Sequence, residues 1–94
     1  MLDIKMDSSE NLLLIGQFDA AQVDKANEVF STIDATRTVD FAELEYISSA
    51  GLGILLKTQK RLSKNGHELL LKNMNKHIRE IFKFAGFDTV FKIE

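Results

Sequence analysis

Three features of the chain predict an α/β fold, a small mixed β-sheet with helices packed on it. Short β-prone apolar runs alternate with longer stretches whose apolar residues recur every three or four positions, which is how helices that lie against a sheet are patterned. Two strand-like runs at the start are close enough to form a hairpin. The later runs are separated by helical stretches, so they must be joined by crossovers and run parallel. The resulting order is ββαβαβαβ. With 94 residues, 45% apolar and 28% charged, the chain fits one soluble domain over residues 1–94, without linker or internal repeat.

Residues 2–6 alternate Leu2, Ile4 and Met6 with Asp3 and Lys5, the period of a strand. A polar turn at residues 7–11 leads into Leu12-Leu13-Leu14-Ile15, expected as a strand buried on both faces. Gly16 ends that run. From Asp19, which is placed to cap a helix, Val23, Ala26, Phe30 and Ile33 recur at steps of 3, 4 and 3 and define the first helix. Residues 36–41 predict a central strand ending at Asp40-Phe41, followed by a loop over residues 42–47. The second helix opens at Ser48 or Ser49, lines Leu52, Leu55, Leu56, Gln59 and Leu62 along one face, and stops near Gly66. Leu69-Leu70-Leu71 predicts another strand. Asn75 can cap a third helix carrying Ile78, Ile81, Phe82 and Ala85, which Gly86 ends before a last strand over residues 89–93. Phe82, Phe84 and Phe87 are expected to pack that helix and its turn on the sheet.

Composition narrows the possible functions. Twelve basic against 14 acidic residues give a formal charge of -2, so no global field attracts nucleic acid. The absence of cysteine excludes a disulfide framework, a thiol nucleophile and a thiolate metal site. The first residues lack the basic and apolar regions of a signal peptide, and no apolar run approaches the roughly 20 residues that cross a bilayer. A cytoplasmic protein without membrane attachment is expected. His67 and His77 have no acid at ligand spacing, so no metal site and no cofactor are expected.

The informative stretch runs from Asp40 to Leu56, where two hydroxyls and two glycines sit at a loop that opens a helix. Backbone N–H groups there lack intrahelical partners and the macrodipole is positive, so a phosphate added to Ser49 would be stabilised. The small residues Ser48, Ser49, Ala50, Gly51 and Gly53 leave the turn open to another protein. Serine is also a common N-cap and glycine can simply permit close packing, so a purely structural role stands beside the functional one. "Gly-Leu-Gly" lacks the third glycine of a dinucleotide loop and the Lys-Ser/Thr of a P-loop, and no histidine or GxSxG elbow accompanies Ser49 as a nucleophile. Ile54 is either a partner contact or extra core. Lys57, Lys60, Arg61 and Lys64 either meet a partner or complement the negative end of the helix.

The run Tyr46-Ile47-Ser48-Ser49-Ala50-Gly51-Leu52-Gly53 resembles the signature turn of STAS domains, Asp-Ser-(Ser/Thr)-Gly-Leu-Gly. Gly16-Gln17-Phe18-Asp19 resembles the Gly-Glu-Leu-Asp that ends the family's second strand, and residues 78–87 resemble its third helix and following turn. The resemblance covers nearly the whole chain in order. It implies an anti-sigma factor antagonist that binds an anti-sigma factor, itself a serine kinase of the histidine-kinase-like ATPase fold, and is released when phosphorylated. A PP2C-type phosphatase would restore binding. By position the acceptor is Ser49, with Ser48 as a rival. Asp19, Ser48, Ser49, Ala50, Gly51, Gly53, Ile54 and Lys57 would form the partner-binding surface of a protein that is a monomer when free and not an enzyme. Ser48 replaces the family's aspartate and Ala50 its second hydroxyl. Asp19 and Asp40, at strand ends, would be the acids nearest the acceptor; Asp19 either orients the loop, meets a partner-borne metal or caps the first helix. The alternative is a STAS interaction subunit of a transport or signalling assembly that is never phosphorylated.

Overall fold

In the computed structural model, which describes residues 1–94, the α/β architecture is one five-stranded sheet with three helices. Strands β1 (Leu2–Met6) and β2 (Leu12–Phe18) form the antiparallel hairpin, Leu2 facing Gly16 and Met6 facing Leu12. Asp7 organises their turn by accepting hydrogen bonds from the backbone N–H groups of Asn11 and Ser9 and from the Asn11 side chain. The Asn11 N–H above all, with the Ser9 N–H, the Asn11 amide and the Lys72 charge, favours the ionised form and holds this carboxyl below its ordinary pKa.

A 3-10 turn, Ala20–Gln22, leads into α1 (Val23–Phe30). Then follow β3 (Arg37–Ile47), α2 (Ser49–Ser63), β4 (Leu69–Lys72), α3 (Lys76–Phe84), a second 3-10 turn (Phe87–Thr89) and β5 (Lys92–Ile93). Strands β2 to β5 are parallel and lie in chain order. Right-handed crossovers between strands in that order place α1, α2 and α3 on the same face. A single core of 21 buried residues unites those helices with Leu12 and Leu14 of β2, Val39 and Phe41 of β3, and Leu69 and Leu71 of β4. Phe82 of α3 meets Phe41 edge-on, with ring centroids 5.9 Å apart. Asn75 caps α3 by accepting from the Ile78 N–H at 2.8 Å. At the other end Gly86, with φ 76, turns the chain so that Phe87 returns against Phe82.

This one-sided arrangement corrects the expectation that β2 is buried on both faces. Leu12 and Leu14 are buried, but Leu13 and Ile15 point to the face without helices and are only half-buried. Strand β3 is also longer than expected, since residues 42–47 continue it. Between the rungs Leu13–Asp40 and Ile15–Glu43, and again between Gly16–Leu44 and Gln17–Tyr46, β3 carries one residue more than β2. Each such bulge shifts the inward phase by one. The buried residues are therefore Val39, Phe41, Leu44 and Ile47, a spacing that hides the strand from a search for alternation. Asp40 consequently lies in mid-strand, accepting from Ala42 N and Asn73 Nδ2, roughly 20 Å up the strand from the start of α2. The last strand is shorter than residues 89–93, because the second 3-10 turn takes up its first part. Phe82 is buried and Phe87 half-buried as expected, whereas Phe84 is 88% exposed, because two residues on from Phe82 the helix has turned it to the side away from the core.

Candidate functional site

The site forms where β2 and β3 end and α2 begins. Phe18 and Ile47 are the last paired residues of those strands, and the Ser48 N–H donates to the Phe18 carbonyl at 2.9 Å, which ties the start of α2 to the end of β2. Gly51 makes that closeness possible. A Cβ there would lie 2.9 Å from Ile47 Cγ1 and 3.0 Å from Phe18 Cγ and Phe18 O, inside the distances at which atoms pack. Gly16 is required for a different reason: its φ of 98 suits a residue without a side chain, and a Cβ would run into the Met1 carbonyl.

Ser48 and Ser49 occupy different environments. Ser48 is the N-cap of α2: its backbone is extended and its Oγ accepts from the Gly51 N–H at 3.2 Å. It is half-buried. Ser49 is the first helical residue, exposed, and its hydroxyl makes no hydrogen bond within the molecule. The N–H groups of Ser49 and Ala50 have no intrahelical acceptor, and the positive end of the α2 dipole lies there.

Asp19 follows Phe18 directly and caps the Ala20–Gln22 turn, its Oδ1 accepting from the Ala21 N–H at 3.1 Å. No three His, Asp or Glu side chains converge at this end of the sheet or elsewhere in the molecule. Ala50 is half-buried and Gly51 buried, while Gly53 and Lys57 are exposed. Ser49, Gly53 and Lys57 follow at steps of four and form one outward row on α2. A Cβ on Gly53 would meet nothing within 4 Å, so packing inside this molecule gives no reason for a glycine there. Beyond the row, Asp24, Asn27 and Glu28 of α1 and Ser31 just after it join Lys57 around a shallow polar cavity of about 550 Å3.

Ile54 does not belong to this surface. It is 5% exposed and part of the core, whereas Leu56, placed by the sequence on the inward stripe, is half-buried. The helix is rotated slightly from the expected phase because the buried Gly51, Leu55, Thr58 and Leu62 set the inward line, with Thr58 Oγ1 satisfied by the Ile54 carbonyl. Of the basic run, Lys57, Lys60 and Lys64 are free, but Arg61 is committed. Its guanidinium donates to Ile33 O at 2.7 Å and Phe30 O at 2.9 Å, fastening the end of α1 to α2. Only the planar fork of arginine among lysines hinted at such a role. Tyr46, 43% exposed two residues before Ser48, was also hidden by the bulges in β3.

Among known proteins, the family model described as "Mlab, STAS domain" matches residues 5–93. BtrV of Bordetella bronchiseptica, whose name places it among the anti-sigma factor antagonists, is 38% identical over 74 residues, 79% of this chain and 58% of that protein. The chain thus spans less than two thirds of that relative's length. The anti-sigma-B factor antagonist of Staphylococcus aureus is 28% identical over 82 residues, 83% of this chain and 76% of the relative. In fold, the chain matches the anti-sigma factor antagonist SpoIIAA in its unphosphorylated form, with TM-score 0.72, 20% identity and coverage of 100% and 87% of the two chains. It matches the Bacillus cell fate determinant SpoIIAA in the phosphorylated form with TM-score 0.71, 21% identity and coverage of 100% and 91%.

Proposed function

The chain belongs to the STAS domain family, and from that premise we propose that it is an anti-sigma factor antagonist switched by phosphorylation of Ser49. Unmodified, it binds an anti-sigma factor that is also a serine kinase of the histidine-kinase-like ATPase fold. Phosphate on Ser49 ends that binding, and a PP2C-type phosphatase restores it. In this reading the chain acts by docking and has no catalytic residue of its own; it is a cytoplasmic monomer between encounters.

The observation that carries the proposal is the division of labour between the two serines. Ser48 spends its oxygen on the cap, while Ser49 presents a free, exposed hydroxyl one position on. The open backbone at Gly53 supports the same surface, since a glycine inside a helix costs about 1 kcal/mol relative to alanine and nothing in this chain requires it. A phosphoserine brings about -1.5 to -2 charge. Desolvated or set against a like charge in an interface, that charge costs several kcal/mol, equivalent to two or more decades in affinity. The unsatisfied N–H groups at the start of α2 let the free domain carry the dianion without unfolding.

The test is a pull-down from cells followed by mass spectrometry of the captured chain, with binding of its cognate kinase measured for wild type, Ser49→Asp and Ser49→Ala. Phosphate on Ser49, and Ser49→Asp binding at least about 100-fold more weakly with an unchanged circular dichroism spectrum, is the expected result. Phosphate on Ser48 would move the switch to the rival acceptor, whereas phosphate on neither serine together with full binding by Ser49→Asp would identify an interaction subunit of a transport or signalling assembly that is never phosphorylated.

A further inference from the structure

The sheet ends at β5, which contributes two residues and has no strand on its outer side. Beside it, α3 and the segment around Phe87–Thr89 enclose a groove of about 520 Å3 lined by Lys76, Arg79, Glu80, Lys83, Asp88 and Ile93. Five of these six are charged, yet the molecule's two ion pairs, Lys25–Asp3 and Lys92–Glu68, use none of them. Lys76, Arg79 and Lys83 follow at steps of three and four and so make one row along α3, flanking the side on which Ile78 and Phe82 enter the core. The needs of the helix do not account for this row. Lys83 in the last turn complements the dipole, but Lys76 at the first helical position and Arg79 one turn later stand at or near its positive end, where a cation is unfavourable.

We propose that this groove is a second docking surface, independent of the Ser49 end, for an extended acidic segment of a partner protein laid along the β5 edge. The free edge offers backbone hydrogen bonds to an added strand. Ile93, the one apolar residue of the lining, lies against the aliphatic stems of the segment's acidic side chains. The three cations receive carboxylates. Glu80 and Asp88 exclude an unbroken acidic run, so the acids must be spaced. In an extended segment alternate side chains face the same way, and two such steps cover about 13 Å. The cations span about 10 Å along the helix axis, a difference that long Lys and Arg side chains bridge.

The probe is the acetylated and amidated peptide Glu-Val-Glu-Val-Glu-Val-Glu, titrated into the 15N-labelled full chain while amide shifts are followed by NMR. Saturable shifts over residues 76–83 and at Lys92 and Ile93 are expected, with a Kd of about 1 mM or tighter, weakening as salt is added. Joint replacement Lys76→Glu, Arg79→Glu and Lys83→Glu should weaken binding about tenfold or more, whereas Ser49→Asp should leave it unchanged. Charge alone is controlled by Lys57→Glu, Lys60→Glu and Lys64→Glu on α2, expected to change binding by less than about threefold. Arg79→Gln serves if the triple variant misfolds. Three results would each overturn the proposal: no saturable shift, equal shifts with a Lys-Val peptide, or shifts with inorganic phosphate or anionic phospholipid vesicles but not with the acidic peptide.

Discussion

At the scale of single residues, the two glycines of α2 separate packing from docking. Gly51 and Gly53 are two positions apart and have the same helical backbone, but a Cβ at the first collides with Phe18 and Ile47 whereas one at the second enters open space. Part of the obstruction at Gly51 is the Phe18 carbonyl, which is backbone and cannot rotate away. Gly51→Ala should therefore destabilise by about 1–2 kcal/mol net of the gain in helix propensity, while Gly53→Ala should stabilise by up to about 1 kcal/mol. In a domain of this size these correspond to a melting midpoint roughly 4–16 °C lower and up to about 8 °C higher. If a partner lies against α2, Gly53→Ala should also weaken its binding although the fold is firmer. Tighter folding with undiminished binding would remove Gly53 from the docking surface. The sequence offered both glycines in one motif and could not tell them apart, because the distinction lies in what the register of β2 and β3 brings beneath each.

The elements are held to one another by a few polar clamps, and Arg61 is the one that decides how α1 sits on α2. Its two hydrogen bonds land on carbonyls at the end of α1 and in the turn that follows, groups that a helix C-terminus leaves without intrahelical donors. Arg61→Met keeps the length of the side chain but withdraws both donors, and should cost about 1–3 kcal/mol. Lysine should not restore it, since one ammonium cannot reach both carbonyls as a planar fork does. Urea denaturation gives the loss, and amide hydrogen exchange should show it concentrated around Ser31–Ile33. An unchanged midpoint would mean that water replaces the guanidinium without penalty. Gln59 is a second clamp, accepting from Leu69 N at 2.8 Å and donating to Val90 O at 3.3 Å, so α2 is tied to β4 and to the last segment as well. At this scale the sequence was legible where periodicity is regular: both caps at Asn75 and Ser48, the stripe of α1, Ile78 and Phe82 of α3, and the stop at Gly86 follow from local rules, whereas Ala85, expected on the α3 stripe, is exposed just past the end of the helix. It was illegible where two bulges break the alternation of β3, because a bulge is fixed by the neighbouring strand and leaves no local mark.

For the molecule as a whole, the order of strands decides which leucines matter. The run Leu12-Leu13-Leu14-Ile15 reads from sequence as doubly buried, and nothing within it reveals that successive right-handed crossovers leave one face of the sheet bare. On that bare face Leu13 stands between Lys5 and Asp40 of the neighbouring strands, half covered by their stems, whereas Leu14 is fully enclosed under the helices. The same substitution at the two positions therefore tests the topology. Leu13→Thr removes a half-buried side chain and inserts a β-prone one whose hydroxyl can reach water, and should cost less than about 1.5 kcal/mol. Leu14→Thr opens a cavity and buries a hydroxyl without a partner, and should cost about 3–5 kcal/mol, a large share of the roughly 5–15 kcal/mol that holds a domain together. Urea unfolding of both variants, compared at equal slope so that the denatured state is held constant, measures the difference. Equal losses at the two positions would mean that both faces of the sheet are covered. A gap of about 2 kcal/mol or more fixes the helices, α2 with Ser49 among them, to the face that carries Leu14.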